Sequence, residues 1–290
     1  MSVKIAACVV LYNPSLQVIA NIQSYYQFVD CLIAVDNSEQ KNGAIEEALQ
    51  SNFKHIIYKF LNANLGIAAA LNIACTTAAE KGFDWILTMD QDSSFVSNDL
   101  SRMIADIAAI EAQYGNVGII TPYHVLAEGY TEDSKEDFTV RRIAMTSGNL
   151  LNLKAYQVAG AFEEKLFMDF VDYEYCLRLR KNTYTIIQDN KVKLKHSLGN
   201  FHIRHFLGKK LGISNHNYQR RYYMTRNSLL VSTKHYKMDK AFFYNVLLNN
   251  LVKDPILILL FEDNKLAKIN SIWKGIIHFL LGRTGKIKFS

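Results

Sequence analysis

Two carboxylates one residue apart, Asp90 and Asp92 in Met89-Asp90-Gln91-Asp92-Ser93, close the apolar run Trp85-Ile86-Leu87-Thr88-Met89. A short apolar run that stops at polar turn residues reads as a buried strand. In an extended chain residues i and i+2 point to one side, so both carboxylates would face one hard divalent cation of the kind that also holds a diphosphate. The plain alternative is a pair of solvated turn carboxylates, since turns favour Asp anyway.

A second acid cluster lies in Leu166-Phe167-Met168-Asp169-Phe170-Val171-Asp172-Tyr173-Glu174. The recurrence of Val171, Tyr175, Cys176 and Leu179 predicts a helix beginning near Asp169. Asp169 is then an N-cap candidate and Asp172 an acid in the first turn, which suits the helix dipole without any function. A carboxylate in such a place can also act as a general base toward a hydroxyl.

The elements that must position these groups alternate. Strand patterns fall at 3–11, 31–36, 54–60, 84–90 and 117–121, and helical patterns near 15–27, 43–51, 66–81 and 97–113. Alternation of this kind predicts an α/β fold, a mostly parallel sheet covered by helices on both faces. Ligands of such sheets bind beyond the carboxyl ends of the strands. Those ends carry Tyr12-Asn13-Pro14, Asp36-Asn37-Ser38, Asn62 to Gly66 and Asp90 to Ser93. Asp36 could accept a hydrogen bond from the imide N–H of a pyrimidine base. Gly66, with no side chain, would let a ligand approach the backbone after Asn64. The chain has no Gly-x-Gly-x-x-Gly and no Gly-Lys-Ser/Thr, which argues against a dinucleotide or P-loop enzyme.

The bulk properties agree with a folded α/β protein. With 290 residues, 49% hydrophobic, the chain can bury a large core, as one large domain or one domain with an appendage. Cys8, Cys31, Cys75 and Cys176 lie far apart in apolar contexts and read as reduced core thiols of a cytosolic protein. Val3 to Leu11 reads as a first buried strand, not a signal peptide. The net charge of +6 is unevenly spread. From Lys191 onward there are 19 Lys and Arg against 4 Asp and Glu, a net of +15; the residues before it carry 14 against 23, a net of −9. A basic back half suits nucleic acid, anionic lipid or a diphosphate-bearing substrate.

Val10-Leu11-Tyr12-Asn13-Pro14, Val35-Asp36-Asn37-Ser38, Asn64-Leu65-Gly66-Ile67-Ala68-Ala69-Ala70-Leu71-Asn72 and Met89-Asp90-Gln91-Asp92-Ser93, in that order, resemble the motifs of family 2 inverting glycosyltransferases with the GT-A fold. Leu-Tyr-Asn-Pro together with Asp-Gln-Asp-Ser resembles the bacterial rhamnosyltransferase branch. The resemblance runs from about residue 3 to about 235. It implies a Rossmann-like catalytic domain over 1–237 and a C-terminal helical, basic amphipathic extension over 238–290. It also implies roles for individual residues. Tyr12, Asn13, Asp36, Asn64 and Gly66 would bind the nucleotide, and Asp90 and Asp92 would hold the diphosphate through Mg2+ or Mn2+. A departing nucleoside diphosphate gathers negative charge, and a cation stabilises it without proton transfer.

The family usually shows Glu-Asp where this chain has Val171-Asp172, so Asp172 is the implied general base, with Asp169 as the alternative; Glu174 is expected to be structural and Arg178 an ion-pair partner. Gly148 and Asn149 resemble the small-residue strand beneath the acceptor, the alternative being a bulged strand. His196 is a possible third metal ligand. Tyr223 and Arg226, in the helical stretch 216–235, would close over the diphosphate and acceptor; their interleaving of aromatics and arginines otherwise suggests single-stranded nucleic acid, a partner this reading sets aside.

Past residue 238 the resemblance weakens. Ala241 to Phe261 is apolar but interrupted by Asn249, Asn250, Lys253 and Asp254-Pro255, a poor membrane span. Ile269 to Leu281 reads as a basic amphipathic helix that packs on the catalytic domain, on a second subunit in a homodimer, or on anionic lipid. The implied function is transfer of L-rhamnose from dTDP-L-rhamnose, with inversion, to a polyprenyl-diphosphate-linked saccharide of O-antigen, capsule or cell wall, by an enzyme peripheral on the cytoplasmic face of the bacterial inner membrane. The alternatives are a UDP-hexose or UDP-galactofuranose donor, and a non-catalytic sugar-nucleotide or polysaccharide binding subunit.

Overall fold

The computed structural model describes residues 3–125, 136–195, 202–206, 209–213 and 215–289, and for 202–206 and 209–212 it describes the backbone. The chain forms two compact units, one of residues 1–164 with 172–197 and one of residues 165–171 with 198–290. The compositional boundary at 237–238 falls inside the second.

The first unit is built by the expected alternation. Its elements are β1 (Ile5–Leu11), α1 (Gln17–Tyr26), β2 (Cys31–Asp36), α2 (Gly43–Asn52), β3 (Ile56–Phe60), α3 (Ile67–Glu80) and β4 (Trp85–Asp90). There follow β5 (Ser94–Phe95), α4 (Asp99–Ala105), α5 (Ile107–Tyr114), β6 (Val117–Val125), β7 (Phe138–Arg141), β8 (Asn149–Asn152), α6 (Leu153–Ala159), α7 (Val171–Lys181) and β9 (Thr185–Lys195). The helix expected over 97–113 is broken at Asp106, whose ψ of −10° separates α4 from α5.

The sheet runs β3-β2-β1-β4-β8-β6-β9-β5, with β7 paired to β9. Strands β3, β2, β1 and β4 pair in parallel with one another, whereas β8 runs antiparallel between β4 and β6. All seven residues of β1 are buried, as a central parallel strand covered on both faces requires. Helix α3 carries nine buried residues, mostly alanine, and these small side chains let it lie close over β1 and β2. One core cluster runs from Ile5, Val9 and Leu11 through Trp85 and Leu87 to Ile187 and Leu194. All four cysteines are free, and burial pushes the Cys176 thiol up to about 12, the state of an inert core thiol.

The second unit holds the hairpin β10 (His202–Phe206) and β11 (Lys209–Ile213), then α8 (Tyr218–Lys234), α9 (Lys240–Leu248), a π-helical turn over Asn249–Lys253, α10 (Asp254–Phe261) and α11 (Lys265–Leu280). Asn217 caps α8 by accepting from Arg220 N–H, and Asp239 caps α9 by accepting from Phe242 N–H. Buried Arg221, Glu262 and Lys268 form a charged chain, with Lys268 Nζ 2.9 Å from Glu262 Oε2.

Candidate active site at the sheet edge

The parallel register sets the strand ends side by side, with Leu11 opposite Asp36, Asp36 opposite Phe60 and Val10 opposite Asp90. Hydrogen bonds then stitch the loops beyond them. Gln91 Oε1 accepts from Tyr12 N–H at 2.9 Å, and its Nε2 donates to the Tyr12 carbonyl at 3.1 Å. Asn13, in the left-handed region at φ 45°, donates its N–H to Ser38 Oγ at 2.8 Å. Asn37 donates to Asn64 Oδ1 and accepts from Leu65 N–H, and Asn64 Oδ1 also accepts from Gly66 N–H. Asp90 N–H donates to Ser147 Oγ at 3.1 Å. The nucleotide-binding candidates Tyr12, Asn13, Asp36, Asn64, Gly66 and Asp90 thus form one continuous edge.

Asp36 is fully buried, with Oδ1 accepting from Ser38 N–H at 3.0 Å and Oδ2 from the Tyr58 hydroxyl at 2.7 Å. A carboxylate has about four acceptor sites, so these bonds still leave room for an imide N–H. Burial and the Asp36 hydrogen bond push the Tyr58 phenol well above its usual range, keeping it a neutral donor. Tyr58, Asn37, Ser38 and Ser147 had no individual role in the sequence reading. The signal for Tyr58 is a phenol on the strand beside a buried acid; Ser38 and Ser147 sit in polar runs already singled out.

Strand alternation does not relate Asp90 to Asp92. The strand ends at Asp90 and a turn follows, closed by Ser93 N–H donating to the Asp90 carbonyl, so Asp92 is an exposed turn residue. Among the described residues no group of three His, Cys, Asp or Glu could hold a metal, and His196 lies outside the described residues. Two carboxylates at a mouth fit Mg2+ or Mn2+ all the same, because such ions are commonly held by one or two carboxylates plus substrate phosphates.

Asp172 sits in the first turn of α7, its Oδ1 accepting from Tyr173 N–H at 2.8 Å. It lines a small cavity of about 10 Å3 with Thr88, Thr146, Asn149, Tyr175 and Cys176, which puts it beside β4 and β8. Asn149, 4% exposed, has Oδ1 buried there with no hydrogen-bond partner. That cavity has room for about one water. Glu174 is buried and paired through both oxygens to Arg178, a structural bond across one helical turn.

Four expectations change. Helix α7 starts at Val171, and Asp169 and Phe170 before it are left-handed (φ 56° and 62°), so Asp169 is not its cap. Asp169 belongs to the second unit, where its Oδ1 accepts from Arg220 Nε at 3.1 Å; burial raises its pKa against the pull of Arg220. Gly148 (φ 85°) is required by the protein's own packing, since a Cβ there would lie 2.8 Å from both Pro122 Cγ and Leu194 Cδ2. Tyr223 and Arg226 are core groups of the second unit. Arg226 is fully buried and donates to the Gly285 and Leu166 carbonyls, the Tyr222 hydroxyl and Asn227 Oδ1; the Tyr223 hydroxyl accepts from Ile287 N–H. Every one of those partners lies within that unit, which accounts for the Arg-Tyr pattern without a ligand.

A mixed sheet whose parallel half ends in this polar edge, flanked by helices, is the GT-A fold of glycosyltransferases. Residues 13–149 match the model of glycosyl transferase family 2. Over 250 residues, 81% of this chain and 82% of the relative, it is 26% identical to the dTDP-rhamnosyl transferase RfbF of Shigella flexneri. Among the solved structures that share the fold, two illustrate it. One is GalNAc-T7 with UDP, GalNAc and Mn2+ (TM-score 0.63, 10% identity), covering 97% of this chain, which spans only 57% of that one. The other is S. aureus TarS 1-349 in complex with UDP-GlcNAc (TM-score 0.59, 14% identity), covering 94% of this chain and 80% of that one. These likenesses show a glycosyltransferase-type fold, with family-model similarity over residues 13–149.

Proposed function

We propose that this enzyme transfers L-rhamnose from dTDP-L-rhamnose, with inversion, to a saccharide carried on a polyprenyl diphosphate at the cytoplasmic face of a bacterial membrane, in the assembly of a surface polysaccharide. The observation that carries the donor is the similarity to a dTDP-rhamnosyl transferase over 81% of the chain.

On this reading Asp36 accepts the N3–H of the thymine, and the Tyr12-Asn13 loop, fastened by Gln91 and Ser38, shapes the nucleotide pocket. Asn64 and Gly66 bring main chain up to the ligand at the start of α3. Asp90 and Asp92 hold Mg2+ or Mn2+, which when bound neutralises charge on the leaving diphosphate. Asp172 takes the proton from the acceptor hydroxyl as its oxygen bonds to the anomeric carbon and the bond from that carbon to the diphosphate breaks. Asn149 orients the acceptor or a water beside Asp172.

The test is calorimetry and turnover with dTDP-rhamnose, UDP-glucose and UDP-galactofuranose, each with and without Mn2+. Preference for dTDP-rhamnose, with turnover lost in Asp92→Ala and Asp172→Asn, supports the proposal. Tighter binding of a UDP-sugar overturns the donor, and binding without turnover of any donor in the wild type makes the chain a binding subunit.

A further inference from the structure

Helix α11 is inside out. Its buried residues are Lys268, Ser271, Ile272, Gly275 and His278, four of them polar or lacking a side chain. They pack against α8 so closely at Gly275 that a Cβ would lie 3.0 Å from Thr225 Cβ and from the Tyr222 carbonyl. The two ionisable groups on this face are engaged, with Lys268 Nζ on Glu262 and His278 Nδ1 2.7 Å from the Tyr222 hydroxyl. The opposite face shows Leu266, Trp273, Ile277 and Leu280, with Leu281 just beyond, all more than half exposed and Leu266 80% exposed. A helix covering a soluble core has the reverse arrangement.

The helical stretch Lys240–Phe261 repeats the pattern. Only 17% of its most apolar window is buried, and Leu248, Leu251, Ile256, Leu259 and Leu260 are about half exposed. Its 22 residues are long enough and apolar enough to cross a bilayer, contrary to the sequence reading of a poor span. Its inner face argues for lying along a surface instead. Buried Asn250 Nδ2 donates to Ser228 Oγ on α8, and Asp254 pairs with Arg221 of the same helix. A spanning helix would have to give up both contacts.

Charge selects what covers these faces. Between Asn264 and Phe289 there are six Lys and Arg and no Asp or Glu, and α9 also contains no acid. A two-fold contact of this face with its own copy would set Lys265 and Lys274 against the same cations, and the neighbouring Asp263 carboxylate is already held by Asn215 Nδ2. Protein interfaces are moreover depleted in Lys. Apolar side chains fringed by cations, with an exposed Trp, suit the boundary of an anionic lipid leaflet.

We propose that the second unit docks on anionic lipid through the outer faces of α11 and of the 240–261 helix, which lie in the interface without crossing it. The inference deepens the proposed lipid-linked acceptor and rests on that reading only for which leaflet is met. The chain has two tryptophans, buried Trp85 and exposed Trp273, so emission can report on docking.

Full-length wild type and the variant Trp273→Ser/Ile277→Ser/Leu280→Ser are sedimented with vesicles of equal phosphatidylglycerol and phosphatidylcholine, and with phosphatidylcholine alone. Wild type is expected to bind the anionic vesicles with a blue shift of Trp273 emission, and the variant at least about tenfold more weakly, with its Tm and donor turnover unchanged. Lys274→Glu/Arg283→Glu, which leaves the apolar face intact, should lower anionic binding and weaken its preference over phosphatidylcholine. Absence of wild-type binding overturns the proposal, as does binding that the serine variant retains. So does a wild-type dimer that ignores vesicles and is split by the same serines. Docking lost with donor turnover intact leaves the transferase reading standing, and turnover absent with docking intact does the reverse.

Discussion

Gln91 grips the main chain of Tyr12 from both sides, accepting from its N–H at 2.9 Å and donating to its carbonyl at 3.1 Å. The residue between the two site aspartates therefore holds the β1 loop against the β4 turn. Asn21 Nδ2, reaching from α1 to the Gln91 carbonyl at 2.8 Å, fixes the grip in place. Gln91→Ala removes both bonds at a half-buried position and should cost about 1 kcal/mol of stability. Its larger effect is expected on the donor, with KM up by about tenfold because the pocket loop loses its anchor. Gln91→Glu keeps the acceptor and loses the donor. Steady-state kinetics beside thermal unfolding separates the two effects; a loss confined to kcat would contradict the assignment.

Asp172→Asn tests the base. The amide keeps the size of the side chain and cannot take a proton, so kcat should fall about 100- to 10,000-fold while donor affinity by calorimetry stays within error. Asp169→Asn, which weakens the bond to Arg220 in the second unit, should lower stability and leave kcat per folded molecule nearly intact. Reversal of these two outcomes would move the base to Asp169.

Arg226→Ala should unfold or loosen the second unit. It leaves the Gly285 carbonyl without its Arg226 donor, removes one of the donors to the Leu166 carbonyl and takes away a cation that lies over the Tyr222 and Tyr223 rings. The expected loss is about 3 kcal/mol or more in denaturant unfolding, and Arg226→Lys should restore little of it, since an ammonium cannot reach the same fork of partners.

Gly148→Ala should be costly and Gly82→Ala cheap. Both glycines have positive φ, but a Cβ at Gly148 meets Pro122 and Leu194 at 2.8 Å whereas at Gly82 nothing lies within 4 Å. About 2–4 kcal/mol is expected for the first and about 1 kcal/mol for the second, measured by chemical denaturation.

Asp189 gives the fold a pH dependence. Burial, reinforced by the nearby Asp106 carboxylate, raises its pKa to about 6 from the ordinary aspartate value of 3.8. The folded state thus holds this proton more tightly than the unfolded chain, so the contribution of the group to stability is complete below about 3.8 and is lost as pH rises through about 6. Asp189→Asn should gain on wild type as pH rises from 4 to 7, ending roughly 2–4 °C higher in Tm at neutral pH. A Tm difference flat across that range would place the raised pKa elsewhere.

Much of the first unit was legible because its signals are local. Strand ends at Leu11, Asp36 and Asp90 fall where the expected patterns stopped, since apolar runs and turn residues follow from neighbours in the chain. The same locality let the four polar ends be picked out together. It failed at the Asp90-Gln91-Asp92 turn, where extended geometry was carried two residues past the strand, and at Asp169, where a cap signal belonged to a residue held by Arg220, 51 positions away.

By itself the sequence determined the succession of the first strands and the membership of the polar edge, both properties of short segments and their order. Only the tertiary structure decided what each charged or small residue is for. Arg226 and Tyr223 look like ligand groups until the chain folds and buries them against Leu166, Gly285 and Ile287. Gly148 looks open until Pro122 and Leu194 occupy its missing side chain. Helix α11 has an amphipathic sequence, but which face looks inward depends on α8. Burial is set by which distant segments meet, and in α11 the close crossing at Gly275 and the buried partners of Lys268 and His278 turned the polar face in and left the apolar one out.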